Sequence, residues 1–592
     1  MVFSTSVSRI SDSPFASTGG ATTNIETNIA MTKLTARAWN MVKLIPLRAN
    51  SLTKRISRLP RRAVLAAAAL VLLGGCEVTQ TLPDISMFES TRYFGGAVAD
   101  EPRAALVARD VLAAGGNAAD AAVALYFTLA VTYPSTASLG GGGLCLVYQP
   151  DEDEGDRTEV VEFFAPPAAA RNESIGRPNA IPGNVRGMYA LQARYGRLKW
   201  SQLLSPAEGF ARFGHQVSRA LARDLRLAGP ALFTDPELRT VFLNGAGDPV
   251  SEGDLVRQLD LGAVLSQLRL RGAGDFYIGS IAKKLVGGIA QARGAIDKAE
   301  LRAYSPKWRE SVSFPFGHNF IHTAAPPVAG GLTAGAIFAL LAEDQRFLAA
   351  ADGERAHLIA EVSRRAFADR QNWLDGGTAA GFDMARLQAS MASYQAGRAT
   401  SPQALKPAPK RRLENPAATS FVTVDQRGLT VSCAVTMNNL FGTGRIVPGT
   451  GILLAASPAQ SGNATTSLSP IIVANHNTGQ VFFAGASTGG AAAPSALASV
   501  MRRALLEERP LRDAMRAPRL HHGGVPNAVF VEPDLPAAVR QSLVQHKHEV
   551  FDVREIGRVN AIHCPGGLPR SPETCTFESD RRGYGLASGG DL

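Results

Sequence analysis

Apolar and polar positions along this chain resolve residues 94–592 into short strands and amphipathic helices. Residues 94–98 (FGGAV) read as a strand. From Glu101 to Ala114, small and apolar residues recur at helical spacing until Gly115-Gly116 stops them. Asn117 or a neighbour caps a second, alanine-rich helix that runs through Ala130 and ends at Tyr133-Pro134. The glycine run Gly140–Gly143 leads into a strand at Leu144–Tyr148, and another strand covers Glu159–Phe164. Residues from about 184 to 300 are mostly helical in period. A polar, basic, proline-containing stretch (SPQALKPAPKRRLENPAA) closes the region 377–418 and reads as exposed and flexible. Two alternating strands follow, Thr419–Val424 and Thr430–Met437, joined by Asp425-Gln426-Arg427-Gly428. Further strands are expected at Ile471–Val473, Val481–Ala484 and Val529–Val531, with a helix near 494–508. Strands and helices mixed without regular βα alternation predict an α+β layered fold, with no internal repeat.

Composition narrows the classes. The chain has 592 residues, of which 45% are hydrophobic and 19% charged, enough for a large core and too apolar for wholesale disorder. The net charge of +10 is partly local. Lys43, Arg48, Lys54, Arg55, Arg58, Arg61 and Arg62 crowd one segment, and no basic-aromatic stripe follows, so nucleic acid is not an expected partner. Residues 1–62 read as a non-globular, basic leader within which Met31 and Met41 are alternative starts. Residues 63–76 hold an apolar run, Ala63–Leu73, too short for an ordinary spanning helix, and end in LGGC. That ending resembles the bacterial lipobox. The resemblance implies cleavage before Cys76, lipidation of its thiol, and a mature protein anchored to the membrane at the periplasmic face of the cell envelope. The alternative is an ordinary signal peptide with an incidental cysteine. Residues 77–93 are then a tether.

The other cysteines point to no metal. Cys145 and Cys433 sit in apolar strands and read as buried thiols, whereas Cys564 and Cys575 flank a Pro/Gly-rich loop and are either free or bridged in an oxidising compartment. No Cys/His spacing matches a zinc site, and the adjacent His521 and His522 face opposite ways on an extended segment. Gly140–Gly143 lacks the spacing of a phosphate loop, so no cofactor is expected.

A series of blocks in fixed order then carries a resemblance. They are EPRAALVARDVLAAGGNAADAAVA, SLGGGGLCLVY, AIPGNVRGMYALQARYGRLKW, PPVAGG, AFADRQNWLD, TMNNLFGTGRIVPGTGILL, LSPIIV, a glycine pair after a strand, MRAPRLHH and SDRRG. Together they resemble the γ-glutamyltransferase family from about residue 94 to the C-terminus. The resemblance implies the N-terminal-nucleophile hydrolase fold, a four-layer αββα sandwich of two antiparallel sheets between helical layers. It also implies one precursor that cuts itself into large and small fragments that stay associated, here 94–417 and 418–592. The threonine freed at the cut attacks a γ-glutamyl amide such as glutathione, with its own α-amine as base. The glutamyl unit passes to water or to an acceptor amine.

The family's cleavage motif is Thr-Thr-His-aromatic-Ser-Val-Val-Asp, and this chain reads Ala418-Thr419-Ser420-Phe421-Val422-Thr423-Val424-Asp425. In that register Ala418 holds the nucleophile's position and Thr419 matches the second threonine. Thr419 becomes the nucleophile only after a one-residue slip, which in a strand turns each side chain to the other face and needs a bulge. Otherwise self-cleavage and acyl transfer are lost, or Ser420 substitutes. Phe164 stands where the family places a carboxylate-binding arginine, and Gln460 where it places an aspartate for the α-amine. A zwitterionic head group needs both counter-charges when buried. Arg445 is nearby, either as a substitute partner for the carboxylate or as a surface or structural residue. The resemblance further implies that Thr436 supports the nucleophile, that Asn438, Thr466 and Ser467 contact substrate, and that Gly489 and Gly490 supply oxyanion donors. Two functions compete: a self-processing transferase or hydrolase of γ-glutamyl or related acyl amides, and a non-catalytic envelope lipoprotein that keeps the fold to bind a ligand or partner.

Overall fold

A computed structural model describes residues 95–151, 155–169, 178–374, 382–408, 414, 416–458 and 464–589. All of them belong to the unit formed by residues 88–592. Cys76, the leader, Gln460 and part of the basic stretch before residue 418 lie outside the described residues.

Two antiparallel sheets form the centre. The first has seven strands in the spatial order Leu586–Gly589, Gly95–Ala99, Ala418–Asp425, Thr430–Thr436, Gly142–Gln149, Arg157–Phe163 and Lys307–Glu310. The second has six, in the order Thr576–Ser579, Arg558–Leu568, Gln480–Thr488, Ser469–Asn475, Asn319–Thr323 and Val312–Phe316. The period of two divides every strand between two environments. Val98, Leu146, Val422, Val424 and Ala434 of the first sheet meet Ile472, Ala484, Ala486 and Ile562 of the second in one core. The alternate residues Ala97, Val147, Phe421, Val431 and Cys433 pack instead against helices Pro102–Ala113 and Ala118–Thr132. On the far side, Ile471, Val473 and Phe483 pack against helices Gly330–Glu343, Asp352–Leu374 and Ala493–Met501. The result is four layers, helix, sheet, sheet and helix, as the resemblance implies.

Local chemistry fixes the elements around the strand heads. Glu101 caps the first helix through its carboxylate and the Ala104 N–H, with Pro102 at the first turn. Asn117 and Asp120 form a reciprocal capping box at the second. The expected helical region includes Asn184–Tyr195, Trp200–Phe213, Leu259–Arg271 and Ser280–Gln291.

Three expectations need correction. Cys145 and Cys433 are not thiols: they lie directly opposite each other on neighbouring strands and form a disulfide on the helix-facing side. Cys564 and Cys575 are also bridged, and the Pro/Gly-rich segment taken as a loop begins inside the strand Arg558–Leu568. The helix expected over 494–508 ends as an α-helix at Met501 and continues as a π-helical turn, Arg502–Leu506.

Candidate active site

The strand Ala418–Asp425 decides what the site contains. Its pairing with Thr430–Thr436 advances one residue for one, from Thr436 opposite Ala418 to Thr430 opposite Val424. The bulge that a slip requires is therefore missing from this pairing. Ala418, Ser420, Val422 and Val424 face the space between the sheets, whereas Phe421 and Thr423 face the helical layer. Thr419 shares that second direction. Its hydroxyl is fully buried and donates to Asp100 Oδ2 at 2.8 Å. The side chain at the strand head that faces the intersheet space is the methyl group of Ala418, which is 3% exposed.

Polar groups surround that methyl. Thr436, directly across the ladder, donates its hydroxyl to the carbonyl of Ala417 at 2.6 Å and accepts the Asn438 N–H at 2.9 Å. The carbonyl of the Ala417–Ala418 bond is thus held by a hydroxyl on the neighbouring strand. Asn438 adopts a left-handed backbone (φ 59°), and its side-chain amide donates to the Ala456 carbonyl at 2.9 Å. Such a conformation is tolerated by asparagine. Thr488, at the end of its strand, is buried, and its hydroxyl has no hydrogen-bond partner among the described residues. It follows Ala484 and Ala486 on the intersheet face, and Ser420 donates to the Ala486 carbonyl at 3.3 Å, so Thr488 lies at the same end of the sandwich as Ala418.

The glycine pair also reaches this place. Gly490 has φ 62°, and a Cβ there would lie 2.7 Å from the Glu414 carbonyl and 3.3 Å from the Pro416 nitrogen. The turn therefore packs on the segment immediately before the strand head, with no room for a side chain. Gly489, at φ 129°, approaches Gly557 with equal closeness. Thr466 and Ser467 close the short helical turn Ala464–Ser467, which touches the turn Gly490–Ala492. The Thr466 carbonyl accepts from Ala329 N–H at 2.8 Å. The expected residues Thr436, Asn438, Thr466, Ser467, Gly489 and Gly490 thus converge on the head of this strand, while Thr419 turns away from it.

Charged groups are sparse on this side. Phe164 packs against the intersheet core. Arg309, opposite Val160 in the ladder, points the same way and pairs with Glu162 at 3.4 Å. Arg445 lies half-buried beside Asp235 and Arg293 in a separate cavity.

Beside the strand, reached from both of its faces, lies a buried polar network that sequence reasoning missed. Asp100 accepts from Thr419, from the Ser420 N–H at 3.4 Å and from Asn560 Nδ2 at 2.9 Å. Asn560 also donates to the Ser420 carbonyl at 2.9 Å, which links the two sheets. Burial pulls the nearby Arg558 guanidinium down, but Tyr133, Asp100 and Asp224 outweigh it and hold the group above its ordinary value. Asp100 follows a predicted strand and Asn560 sits within an unpredicted one, so neither carried a periodic signal. Far from this site, His357, Glu361 and His548 converge, but Arg364 and Arg365 already engage both Glu361 oxygens, which suits no cation. His521 bonds Ser495 and His522 accepts from Gly524 N–H, both as buried structural groups.

Paired antiparallel sheets between helical layers, with a buried strand head at one end, define an N-terminal-nucleophile hydrolase fold. The chain belongs to the gamma-glutamyltranspeptidase family, whose profile matches residues 104–589. A glutathione hydrolase proenzyme from Pseudomonas aeruginosa is 31% identical over 85% of this chain and 95% of its own length. An acylase ACY 1 proenzyme from Pseudomonas sp. (strain SE83) is 29% identical over 79% of this chain and 89% of its own. A cephalosporin acylase structure from Bacillus halodurans shares the fold, with a TM-score of 0.70 at 22% identity over 84% of this chain and 96% of that one.

Proposed function

We propose that this protein keeps the acyl-amide pocket of its family but remains one uncut chain that binds its ligand without turning it over. One observation carries the reading: the intersheet position at the strand head is Ala418, and Thr419, whose side chain leaves by the opposite face, donates to Asp100. A methyl group cannot attack an amide, and without a cut no free α-amine exists to act as base. The unpartnered Thr488 hydroxyl, the second N–H of the Asn438 amide and the Gly489-Gly490 turn are the groups left for an amide carbonyl, since Thr436 already donates to Ala417. Phe164 favours an acyl group less charged than a glutamyl head.

A second reading has support of its own. The relatives named above are described as proenzymes, and the junction carbonyl is already gripped by Thr436. Here Thr419 or Ser420 is the nucleophile after a local rearrangement, and the substrate is glutathione or another γ-glutamyl or acyl amide. Intact mass and N-terminal sequencing of the purified protein separate the two. A single chain that releases no amine from a γ-glutamyl anilide supports the binding protein. A fragment beginning at Thr419 or Ser420, absent from a Thr419→Ala variant or a Ser420→Ala variant respectively, supports the enzyme.

We further propose export and a lipid anchor on Cys76. The LGGC sequence after a short apolar run and two disulfides in the body favour an oxidising compartment outside the cytoplasm. No helix among the described residues is long and apolar enough to cross a membrane. Metabolic labelling with a radiolabelled fatty acid, lost in Cys76→Ser, tests the anchor.

A further inference from the structure

On the outer helical face of the second sheet, a cavity of about 200 Å³ opens between helices Gly330–Glu343, Asp352–Leu374, Ala493–Met501 and Ala537–Gln545. It lies apart from the strand head, and the reading above does not use it. One wall is apolar, built from Ile337, Leu341, Ile359 and Val539. The other is cationic. Arg355, Arg502, Arg503 and Arg509 line it against only two carboxylates, Asp352 and Glu507.

The pairing within that wall is uneven. Glu507 holds Arg502 and, at 3.0 Å, Arg509. Asp352 lies 3.5 Å from Arg355. Among the described residues Arg503 pairs with no carboxylate: its guanidinium donates to Ser499 and, at 2.7 Å, to the Pro518 carbonyl. Neutral acceptors satisfy part of its five-donor fork, and the acidic group that acts on it, Glu532, is already paired with Arg582. Burial, and after it Arg519, Arg509 and Arg582, pull Arg503 down to about 9, so it remains a cation at neutral pH.

The backbone explains how two consecutive arginines reach one cavity. At Arg502–Leu506 the helix widens into a π-turn, closed by Glu507 N–H to the Arg502 carbonyl at 3.1 Å. Such turns recur where side chains are re-aimed for binding. An unpaired cation beside an apolar wall suits a ligand with one oxyanion and a short hydrocarbon body, since bidentate contact to a carboxylate or phosphate is what a guanidinium fork does best.

We propose that this cavity is a binding site for a small amphipathic anion, its oxyanion on Arg503 and its apolar body against Ile337, Leu341 and Val539. Titration calorimetry on the full chain tests this with octanoate, octanol and inorganic phosphate as probes. Octanoate is expected to bind one to one, with octanol and phosphate each at least tenfold weaker. Arg503→Gln removes the charge, and Val539→Trp fills the cavity from its rim without touching an arginine. Each is expected to weaken octanoate at least tenfold while the circular dichroism melt stays cooperative. The proposal is overturned if octanoate does not bind, if octanol binds as tightly, or if Val539→Trp leaves octanoate affinity unchanged. Phosphate binding as tightly as octanoate also overturns it, since the apolar wall then contributes nothing.

Discussion

Restoring one hydroxyl at the strand head puts the proposed loss of self-cleavage to a direct test. Ala418→Thr adds two heavy atoms on the intersheet face, opposite Thr436. The position is 3% exposed, so overpacking costs about 1–2 kcal/mol. A new hydroxyl that finds a hydrogen bond at this end of the sandwich, where that of Thr488 is unpartnered among the described residues, regains about 1 kcal/mol. A β-branched residue also suits a strand. The variant is therefore expected to fold within about 1 kcal/mol of the parent.

The chemistry follows from the carbonyl of Ala417. Thr436 already polarises it at 2.6 Å. The new hydroxyl attacks that carbon, the C–N bond breaks as the ester forms, and water then hydrolyses the ester. A carboxylate is left on Ala417 and a free amine on residue 418. Intact mass over several days at 25 °C reads the outcome, with the smaller fragment beginning at residue 418. Adding Thr436→Val to the variant removes the carbonyl's donor and is expected to slow the cut about 100-fold. The reasoning is refuted if a folded Ala418→Thr protein stays intact, if Thr436→Val leaves its rate unchanged, or if the parent is itself cut at this bond.

Other consequences are measurable in parallel. Asp100→Ala leaves the Thr419 hydroxyl and the Ser420 N–H without their buried acceptor and is expected to destabilise by about 3 kcal/mol, read as a lower urea midpoint. Removing the Cys145–Cys433 bridge with the double alanine variant releases a sequence separation of 288 residues and is expected to cost up to about 5 kcal/mol; two reactive thiols in the denatured parent would contradict the bridge. Burial pulls His563 down to about 4, so between pH 6.5 and 4 the unfolded chain takes up a proton that the folded chain refuses. Stability from this group is full above pH 6.5 and falls by up to about 3 kcal/mol towards pH 4. His563→Phe is expected to flatten that part of the urea midpoint profile, and an unchanged slope would refute the assignment.

The layers of this fold were legible because each rests on a period the sequence displays. Alternation in Val422, Thr423 and Val424 and helical spacing in Glu101–Ala114 are one-dimensional records of two-sided burial. The glycine pair and Asn438 were singled out through the family resemblance, and their positive φ in the structure gives a physical reason for those residue types. What escaped depends on partners distant in the chain. Cys145 and Cys433 looked like thiols because nothing local says that their strands are neighbours in register. Arg309 and Thr488 are ordinary strand residues until the sheets are stacked. Asp100 gains meaning only from Asn560, 460 residues away.

The same distinction explains why the active-site question reduces to parity. A threonine one position from the expected one looks like a near match when letters are compared. In a strand, one position is half a period, and the adjacent side chain belongs to a different layer. Thr419 is not idle there: with Asp100, Asn560 and Ser420 it ties the first sheet to the second beside the strand head. Slipping the strand to bring Thr419 into the cleft would break that network, and it would move Phe421 out of the helical core and Val422 into it. Such a slip leaves the Asp100 carboxylate without two of its donors, the Thr419 hydroxyl and the Ser420 N–H, a loss of several kcal/mol with no hydroxyl partner to offset it. The ladder is therefore locked by the residues behind it, and the methyl group of Ala418 stays in front.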